Sequence, residues 1–299
     1  MTSTLTPPPA QPGPTPPSGQ VPPVPGAPVP PAPGAPVPPR GSSKVIAILA
    51  ICLGAVLIVG AIVTGVFSAL RAAGAGTTET LTADGTAIAG LDIDVAAGEL
   101  TVRYAGDEVR LEVTGNADDW RLDRDGDTVE VRTVRDWWRG WAFLDDGDVA
   151  VLTLPARLEN VPLDADLTLS AGSLRADGAF GELGLDLNAG SIEVAGTAQT
   201  LDADVNAGRA EIDLADVAEA DVRISAGNLT GTLSGAAPDV VAIEVNAGRL
   251  DLTLPSVDYD VSSEVSAGEF DAGGLSVDSS SPHRVHADVS AGFARLSSK

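Results

Sequence analysis

The chain has 299 residues, 44% of them hydrophobic, and a formal net charge of −24. Such an acidic protein repels nucleic acid phosphates and anionic lipid headgroups, so the charge argues against both as partners. Its single cysteine, Cys52, rules out an intramolecular disulfide.

A proline-rich tail opens the chain. Residues 1–43 hold most of the prolines and no acidic residue. Proline fixes φ and removes backbone donors, so this composition predicts a disordered tail of extended polyproline II segments. Its PxxP spacings leave open a docking motif for a proline-binding domain instead of a plain spacer.

Residues 44–71 are predicted to form a transmembrane helix. The stretch Val45–Leu70 carries no charge, and at ~1.5 Å per residue it would reach about 39 Å, enough to cross a bilayer. Arg40 and Lys44 precede it, which predicts a cytoplasmic N-terminus by the positive-inside bias. The sequence therefore indicates a single-pass anchor in the cell membrane, with an extracytoplasmic C-terminal domain. Residues 72–85 are predicted to form a short stalk.

The remaining residues, 86–299, show the alternation of β-strands. Leu91, Ile93 and Val95 alternate with Asp92 and Asp94, and similar alternation recurs to the end of the chain. Apolar and polar residues at period two predict strands with one buried face.

A tripeptide, [Asn/Ser]-Ala-Gly, recurs between these predicted strands. Seven copies end in the glycines from Gly172 onward, and Ala96-Ala97-Gly98 is a weaker eighth copy. From Gly172 the glycines are 18, 18, 19, 21, 20 and 24 residues apart, a spacing typical of a structural repeat. The predicted corner glycines are Gly98, Gly172, Gly190, Gly208, Gly227, Gly248, Gly268 and Gly292.

The repeat predicts an all-β fold, a parallel β-helix or β-solenoid with rungs of about 18–21 residues. Glycine at the corner permits φ > 0 or close approach between rungs, and Asn or Ser can bond neighbouring backbone and stack in a ladder. An antiparallel meander of hairpins is the competing architecture. It would favour Asn-Gly or Asp-Gly turns instead of Ala-Gly. Residues 105–165 lack the tripeptide and fit either further rungs or hairpins.

The repeat also resembles a known family. The resemblance is to a bacterial β-strand-repeat family of unknown function labelled "putative adhesin", related to autotransporter-adhesin head domains. It rests on the tripeptide corners and on three further segments, Leu252–Pro255 (LTLP), Tyr259–Val261 (YDV) and Ser281–Val285 (SPHRV). The resemblance covers about residues 85–297. It implies a right-handed β-helix-like fold on a cell-envelope protein, and it brings no catalytic residues.

A tryptophan cluster is the candidate contact site for a ligand or partner. It comprises Arg135, Trp137, Trp138, Arg139, Trp141 and Phe143. Aromatic faces beside arginines suit a sugar or a protein interface. The same rings could instead cover an open end of the repeat or an irregular part of the core.

No catalytic, cofactor or metal site is predicted. The only histidines, His283 and His286, have no distinctive third ligand nearby. Asp145–Asp148 resembles a calcium loop but lacks its spacing and terminal Glu. A polysaccharide-cleaving enzyme stays a remote alternative.

The sequence thus predicts a non-catalytic, membrane-anchored surface protein for adhesion or envelope scaffolding, with cell-wall glycan or a surface protein as its partner. An envelope-stress sensor that signals through the helix is the alternative. The oligomeric state stays open.

Overall fold

The structure is a computed structural model that describes residues 78–133 and 147–299. The predicted tail, the predicted membrane helix, residues 72–77 of the predicted stalk and the tryptophan cluster lie outside these residues. In the part described, no helix has the length and apolar character needed to cross a membrane. The fold of this part is all-β, and its sheet does not close on itself.

The strands follow one another with short links. In chain order they are β1 Thr78–Ala83, β2 Gly90–Val95, β3 Gly98–Tyr104, β4 Val109–Thr114, β5 Trp120–Asp125, β6 Thr128–Thr133, β7 Val149–Leu154, β8 Leu163–Leu169, β9 Gly172–Thr197, β10 Thr200–Ala215, β11 Glu219–Ile224, β12 Asn228–Ser234, β13 Val240–Val245, β14 Arg249–Leu254, β15 Asp258–Val265, β16 Glu269–Gly274, β17 Ser276–Val277, β18 Arg284–Val289 and β19 Phe293–Ser298. Two short 3-10 helices, Ala117–Asp119 and Ala156–Leu158, interrupt them.

The strands stack in two parallel ladders. Ladder A runs β6, β2, β8, residues 182–187 of β9, residues 200–205 of β10, β11, β13, β18 and β15. Ladder B runs β7, β3, residues 172–176 and then 190–197 of β9, residues 208–215 of β10, β12, β14, β19 and β16. We call one ladder A strand, its corner and the next ladder B strand a rung.

Apolar residues at alternate positions meet across the rungs. In ladder A, Leu185 aligns with Ala203, which aligns with Val222, which aligns with Ile243. All four are buried, and the inward side chains of both ladders belong to one hydrophobic core. The alternation in the sequence therefore becomes a continuous core because like residues stack in register.

The rung that comes last in the sequence, β18–β19, does not lie at the end of the stack. β18 pairs with β13 on one side and β15 on the other, and β19 lies in the same way between β14 and β16. The chain therefore passes one position, forms the β15–β16 rung, and returns to fill the gap. The near-constant spacing of the tripeptide gives no sign of this exchange of order.

Residues 105–165 combine both patterns that the sequence left open. β6 and β7 join the parallel ladders beside β2 and β3. β4 pairs antiparallel with β7, and β5 forms an antiparallel pair with β6. β1 pairs antiparallel with β4, so the sheet begins inside the segment that the sequence indicates as a stalk.

Candidate functional site: the corner row and the acidic face

The repeated tripeptides form one row along the molecule, which we call the corner row. A Cβ added to Gly208 would lie 2.6 Å from the carbonyl oxygen of Gly190, and one added to Gly292 would lie 2.6 Å from that of Gly248. Either distance is shorter than a Cβ can tolerate. Of the eight predicted corner glycines only Gly98, Gly172 and Gly190 have positive φ. The later copies require glycine for close approach between rungs.

Backbone hydrogen bonds tie each corner to its neighbour. The N–H of Ala226 donates to the carbonyl of Asn206 at 2.8 Å, and the N–H of Ala247 donates to that of Ser225 at 2.9 Å. The Asn206 side-chain amide donates to Asn188 Oδ1 at 3.3 Å, which is the predicted side-chain ladder at one step. These bonds hold adjacent corners together, so the corner row acts as a structural element.

The candidate tryptophan cluster, from Arg135 to Phe143, lies outside the described residues. The residues that flank it are described, and both flanks meet the Ala96–Gly98 corner. Thr133 Oγ1 accepts from the N–H of Ala96 at 2.6 Å, and the carbonyl of Asp148 accepts from the N–H of Glu99 at 2.8 Å. β6 belongs to ladder A and β7 to ladder B, so the described residues on the two sides of the cluster end beside one tripeptide corner.

Asp148 organises this end of the corner row. Its carboxylate accepts from the backbone N–H of Asn116 at 2.8 Å and from the indole N–H of Trp120 at 3.3 Å. Trp120 is 1% exposed and belongs to the core. Neither role is evident from the sequence, because strand alternation alone does not show which loop an indole N–H will reach.

The outward face of ladder A is strongly acidic, and we call it the acidic face. Its carboxylates are those of Asp92, Asp94, Glu130, Asp164, Asp166, Glu182, Asp186, Asp202, Asp204, Glu219, Asp221, Glu244, Asp260, Glu264 and Asp288. Among the aligned outward positions of this ladder the arginines are Arg132, Arg223 and Arg284. Neighbouring strands lie about 4.8 Å apart, so the carboxylates form rows of closely spaced like charges.

Arg223 neutralises the centre of the acidic face. Its guanidinium lies 3.0 Å from Asp202 Oδ1 and 3.6 Å from Asp204 Oδ2, and it also contacts Asp221. Burial raises the pKa of Asp221, and the negative charges of Asp202, Asp204 and Glu244 raise it further against the opposing effect of Arg223.

Ladder B presents a more balanced outward surface. Arg175 Nη1 lies 2.6 Å from Glu193 Oε2 across one rung, and Arg295 Nε lies 3.3 Å from Asp271 Oδ2. Such exposed pairs contribute little to stability individually. They do leave ladder B without long rows of one charge, so the two faces differ in electrostatic character.

Tyr104 carries an unusual polar atom. Its buried hydroxyl has no hydrogen-bond partner among the described residues, and its ring tip packs on Gly178. Burial, followed by the charges of Glu159 and Asp177, raises the pKa of Tyr104 to about 12. The phenol is therefore neutral at physiological pH.

The two histidines are held by separate partners. His283 Nδ1 lies 2.9 Å from the carbonyl oxygen of Pro238, while His286 Nδ1 lies 3.1 Å from Ser262 Oγ. Within residues 78–133 and 147–299, no group of three or more His, Cys, Asp or Glu residues has the geometry to hold a metal ion.

No protein-family model matches the chain, and no curated protein matches it. Similar solved structures include a "putative cell adhesion protein" from Clostridium sporogenes, at 13% identity and a TM-score of 0.40, with 75% of this chain and 100% of the other covered. A "putative adhesin" from Bacteroides fragilis has 11% identity and a TM-score of 0.41, with 74% and 97% covered.

A "putative lipid binding protein" from Parabacteroides distasonis is similar at 10% identity and a TM-score of 0.40, over 75% of this chain and 98% of the other. Likeness at this level says nothing of a ligand or an activity. The names of the adhesin structures do agree with the family that the tripeptide repeat resembles.

Proposed function

We propose that this protein is a non-catalytic cell-envelope protein, anchored in the membrane by residues 44–71, that uses a rigid β-solenoid for adhesion or envelope scaffolding. The observation that carries the proposal is the acidic face, an outward surface on stacked parallel strands on which carboxylates far outnumber arginines. Such a surface suits recognition of a large partner more than binding of a small molecule in a cleft.

The parallel register supports a solenoid. Ladder A strands lead through a corner to ladder B strands, with offsets of 18 between β9 and β10, 19 between β10 and β11 or β12, and 21 from β11 to β13. In repeat proteins of this kind each unit contacts only its neighbours, and the stack presents a long surface. We propose that the two ladders wind as one solenoid.

The charge pattern indicates the chemistry of the partner. Rows of carboxylates at about 4.8 Å spacing attract a surface rich in lysine, arginine or amino groups. Ladder B, with its paired charges, offers much less attraction. We propose that the acidic face meets a basic surface protein or the amino groups of cell-wall material, and that the tryptophan cluster adds aromatic contacts.

Co-sedimentation with purified cell-wall sacculi and pull-down from envelope extracts test this function. We expect full-length protein to be retained at low salt and released as salt screens the carboxylates. Changing Asp202, Asp204 and Asp221 to Asn should reduce retention, whereas changing Glu211 and Asp213 to their amides on ladder B should not. Retention equal for both sets would contradict the role of the acidic face.

A second set of variants tests the tryptophan cluster. Changing Trp137, Trp138 and Trp141 to Ala should weaken retention without changing its salt dependence, since aromatic contacts are not screened. Turnover of any polysaccharide by the full-length protein would contradict the non-catalytic proposal. A response of envelope-stress genes to its deletion, without loss of attachment, would favour the sensor.

A further inference from the structure

The two ends of the ladders differ in how they finish. At the end nearest the N-terminus, β1 and β5 add antiparallel strands beside β4 and β6. At the opposite end β15 and β16 are the outermost strands, and each pairs along its length only with the inserted rung β18–β19 within the part described. β17 pairs with β15 at Asp258 and Tyr259 alone.

Along Asp260–Val265, the outer edge of β15 has no strand partner among the described residues. The N–H groups of Asp260 and Ser266 donate toward β18, at 2.8 Å to His283 and 2.9 Å to Val289. Backbone groups alternate in direction along a strand, so the N–H groups of Val261, Ser263 and Val265 point to the outer edge. Unpaired groups of this kind are a template for another strand.

The side chains beside this edge are incompletely covered. Val265 is 45% exposed, and Val261 and Phe270 are half-buried on the inward side. The corresponding residues of the neighbouring rung, Val285 and Val289, are buried. A further strand on this edge would therefore bury apolar area as well as satisfy backbone donors.

The charge on the edge selects among partners. β15 and β16 carry Asp258, Asp260, Glu264, Glu269 and Asp271 and no lysine or arginine. A second copy docked by the same edge would place carboxylates opposite carboxylates, which is unfavourable across paired strands. A segment with basic outward residues would place opposite charges there.

We propose that the β15–β16 edge is a docking surface for an extended segment of another protein in which apolar and basic residues alternate, bound by β-strand addition. The inference stands on the unpaired strand edge and is independent of the membrane anchor, while Asp260 and Glu264 belong to the acidic face as well. The apolar residues of the segment would cover Val261 and Val265, and its lysines or arginines would face Asp260 and Glu264.

The test uses full-length protein and a fluorescent, end-capped peptide of alternating lysine and valine. Anisotropy should show binding that weakens with salt, and hydrogen exchange should show new protection in 260–274. The same peptide with N-methyl groups on alternate residues, and a glutamate–valine peptide, should bind at least about tenfold more weakly.

Protein variants then locate the contact. Ser263→Pro removes an outward N–H donor and keeps the hydrogen bonds from β15 to β18. An edge strand tolerates proline at such an outward position. The substitution should reduce affinity about tenfold or more, while Ser263→Ala, which keeps the donor, should not. Asp260→Lys with Glu264→Lys should reverse the preference toward the glutamate–valine peptide, and Glu211→Lys with Asp213→Lys on ladder B should not.

Binding of the lysine–valine peptide that survives Ser263→Pro, or protection that appears elsewhere, would overturn the proposal. So would the absence of binding to wild-type protein, or sedimentation showing that a second copy occupies this end. Loss of sacculus retention with intact peptide binding would contradict only the adhesion function.

Discussion

At the scale of single residues, glycine at the corner is required by distance as much as by φ. Gly208 lies so close to the preceding rung that an added Cβ would be 2.6 Å from Gly190 O and 2.7 Å from Leu187 Cδ2. The carbonyl belongs to the backbone and cannot rotate away. A side chain there must push two rungs apart.

Gly208→Val should therefore lower the free energy of unfolding by about 3 kcal/mol, because overpacking displaces backbone. Denaturant unfolding measures it. Gly147→Ala is the control, since a Cβ at Gly147 meets no atom of the described residues within 4 Å. Equal midpoints for Gly208→Val and wild type would show that the corner glycine is dispensable.

Removing the hydroxyl should change the stability of the protein in opposite directions at the two tyrosines. Tyr259 donates to the carbonyl of Pro255 at 3.0 Å, whereas the buried Tyr104 hydroxyl has no partner among the described residues. Tyr259→Phe should cost about 1 kcal/mol, and Tyr104→Phe should raise stability by about 1 kcal/mol, because an unsatisfied buried hydroxyl is unfavourable. Thermal unfolding of both variants decides it, and destabilisation by Tyr104→Phe would indicate a bound partner for that hydroxyl.

At the scale of elements, the inserted rung supports the strands on both sides of it. β15 and β16 precede β18 and β19 in sequence, yet they rest on them in space. In a stack that follows sequence order, each new rung would pair with the rung that precedes it in the chain. Here an earlier segment depends on a later one.

A chain truncated after His283 should lose hydrogen-exchange protection in 258–274, because β15 and β16 then have no ladder partner. Protection in β10–β12 should persist, since their partners remain. Protection of 258–274 at the wild-type level would mean that β15–β16 can stack directly on β13–β14.

The acidic face should make stability depend on pH. Burial, chiefly, raises the pKa of Asp221, so the folded protein favours its protonated form. Ionised Asp221 therefore opposes folding above its raised folded pKa, and this opposition disappears as the pH falls below the ordinary value of 3.8.

Asp221→Asn should accordingly raise stability at neutral pH by about 0.5 kcal/mol, a small effect because the side chain is partly exposed. The difference should vanish near pH 3. Denaturant unfolding of both proteins across pH measures it. A stabilisation that persists at acid pH would assign the effect to something other than this charge.

At the scale of the whole molecule, the net charge of −24 resides on a surface whose acidic face has few cations. Repulsion among like charges opposes the folded state and is weakened by salt. Raising NaCl from about 0.1 M to about 1 M shortens the screening length from about 10 Å to about 3 Å.

The unfolding temperature should therefore rise with NaCl, and more for wild type than for the variant with Asp202, Asp204 and Asp221 changed to Asn. Calorimetry at several NaCl concentrations measures it. An equal rise for the two proteins would mean that salt acts on hydrophobic burial and not on the acidic face.

The sequence by itself determined the local structure. Alternation at Leu91, Ile93 and Val95, and the recurring Ala-Gly, are local signals, since the buried face of a strand and a close backbone approach require particular residue types. They predicted the all-β fold and the position of every tripeptide corner from Gly172 on. For the tryptophan cluster the sequence supplies only a candidate.

Only the tertiary structure decided the order and grouping of the rungs. β15 and β18 each offer β13 an apolar residue at equivalent positions, Val261 and Val285. Which strand β13 takes depends on long-range packing. The acidic face likewise arises only when register aligns Asp186, Asp204 and Glu244 on one ladder. The alternation of residues along a strand determines which side of the strand a carboxylate faces. The pairing of strands determines which other carboxylates become its neighbours.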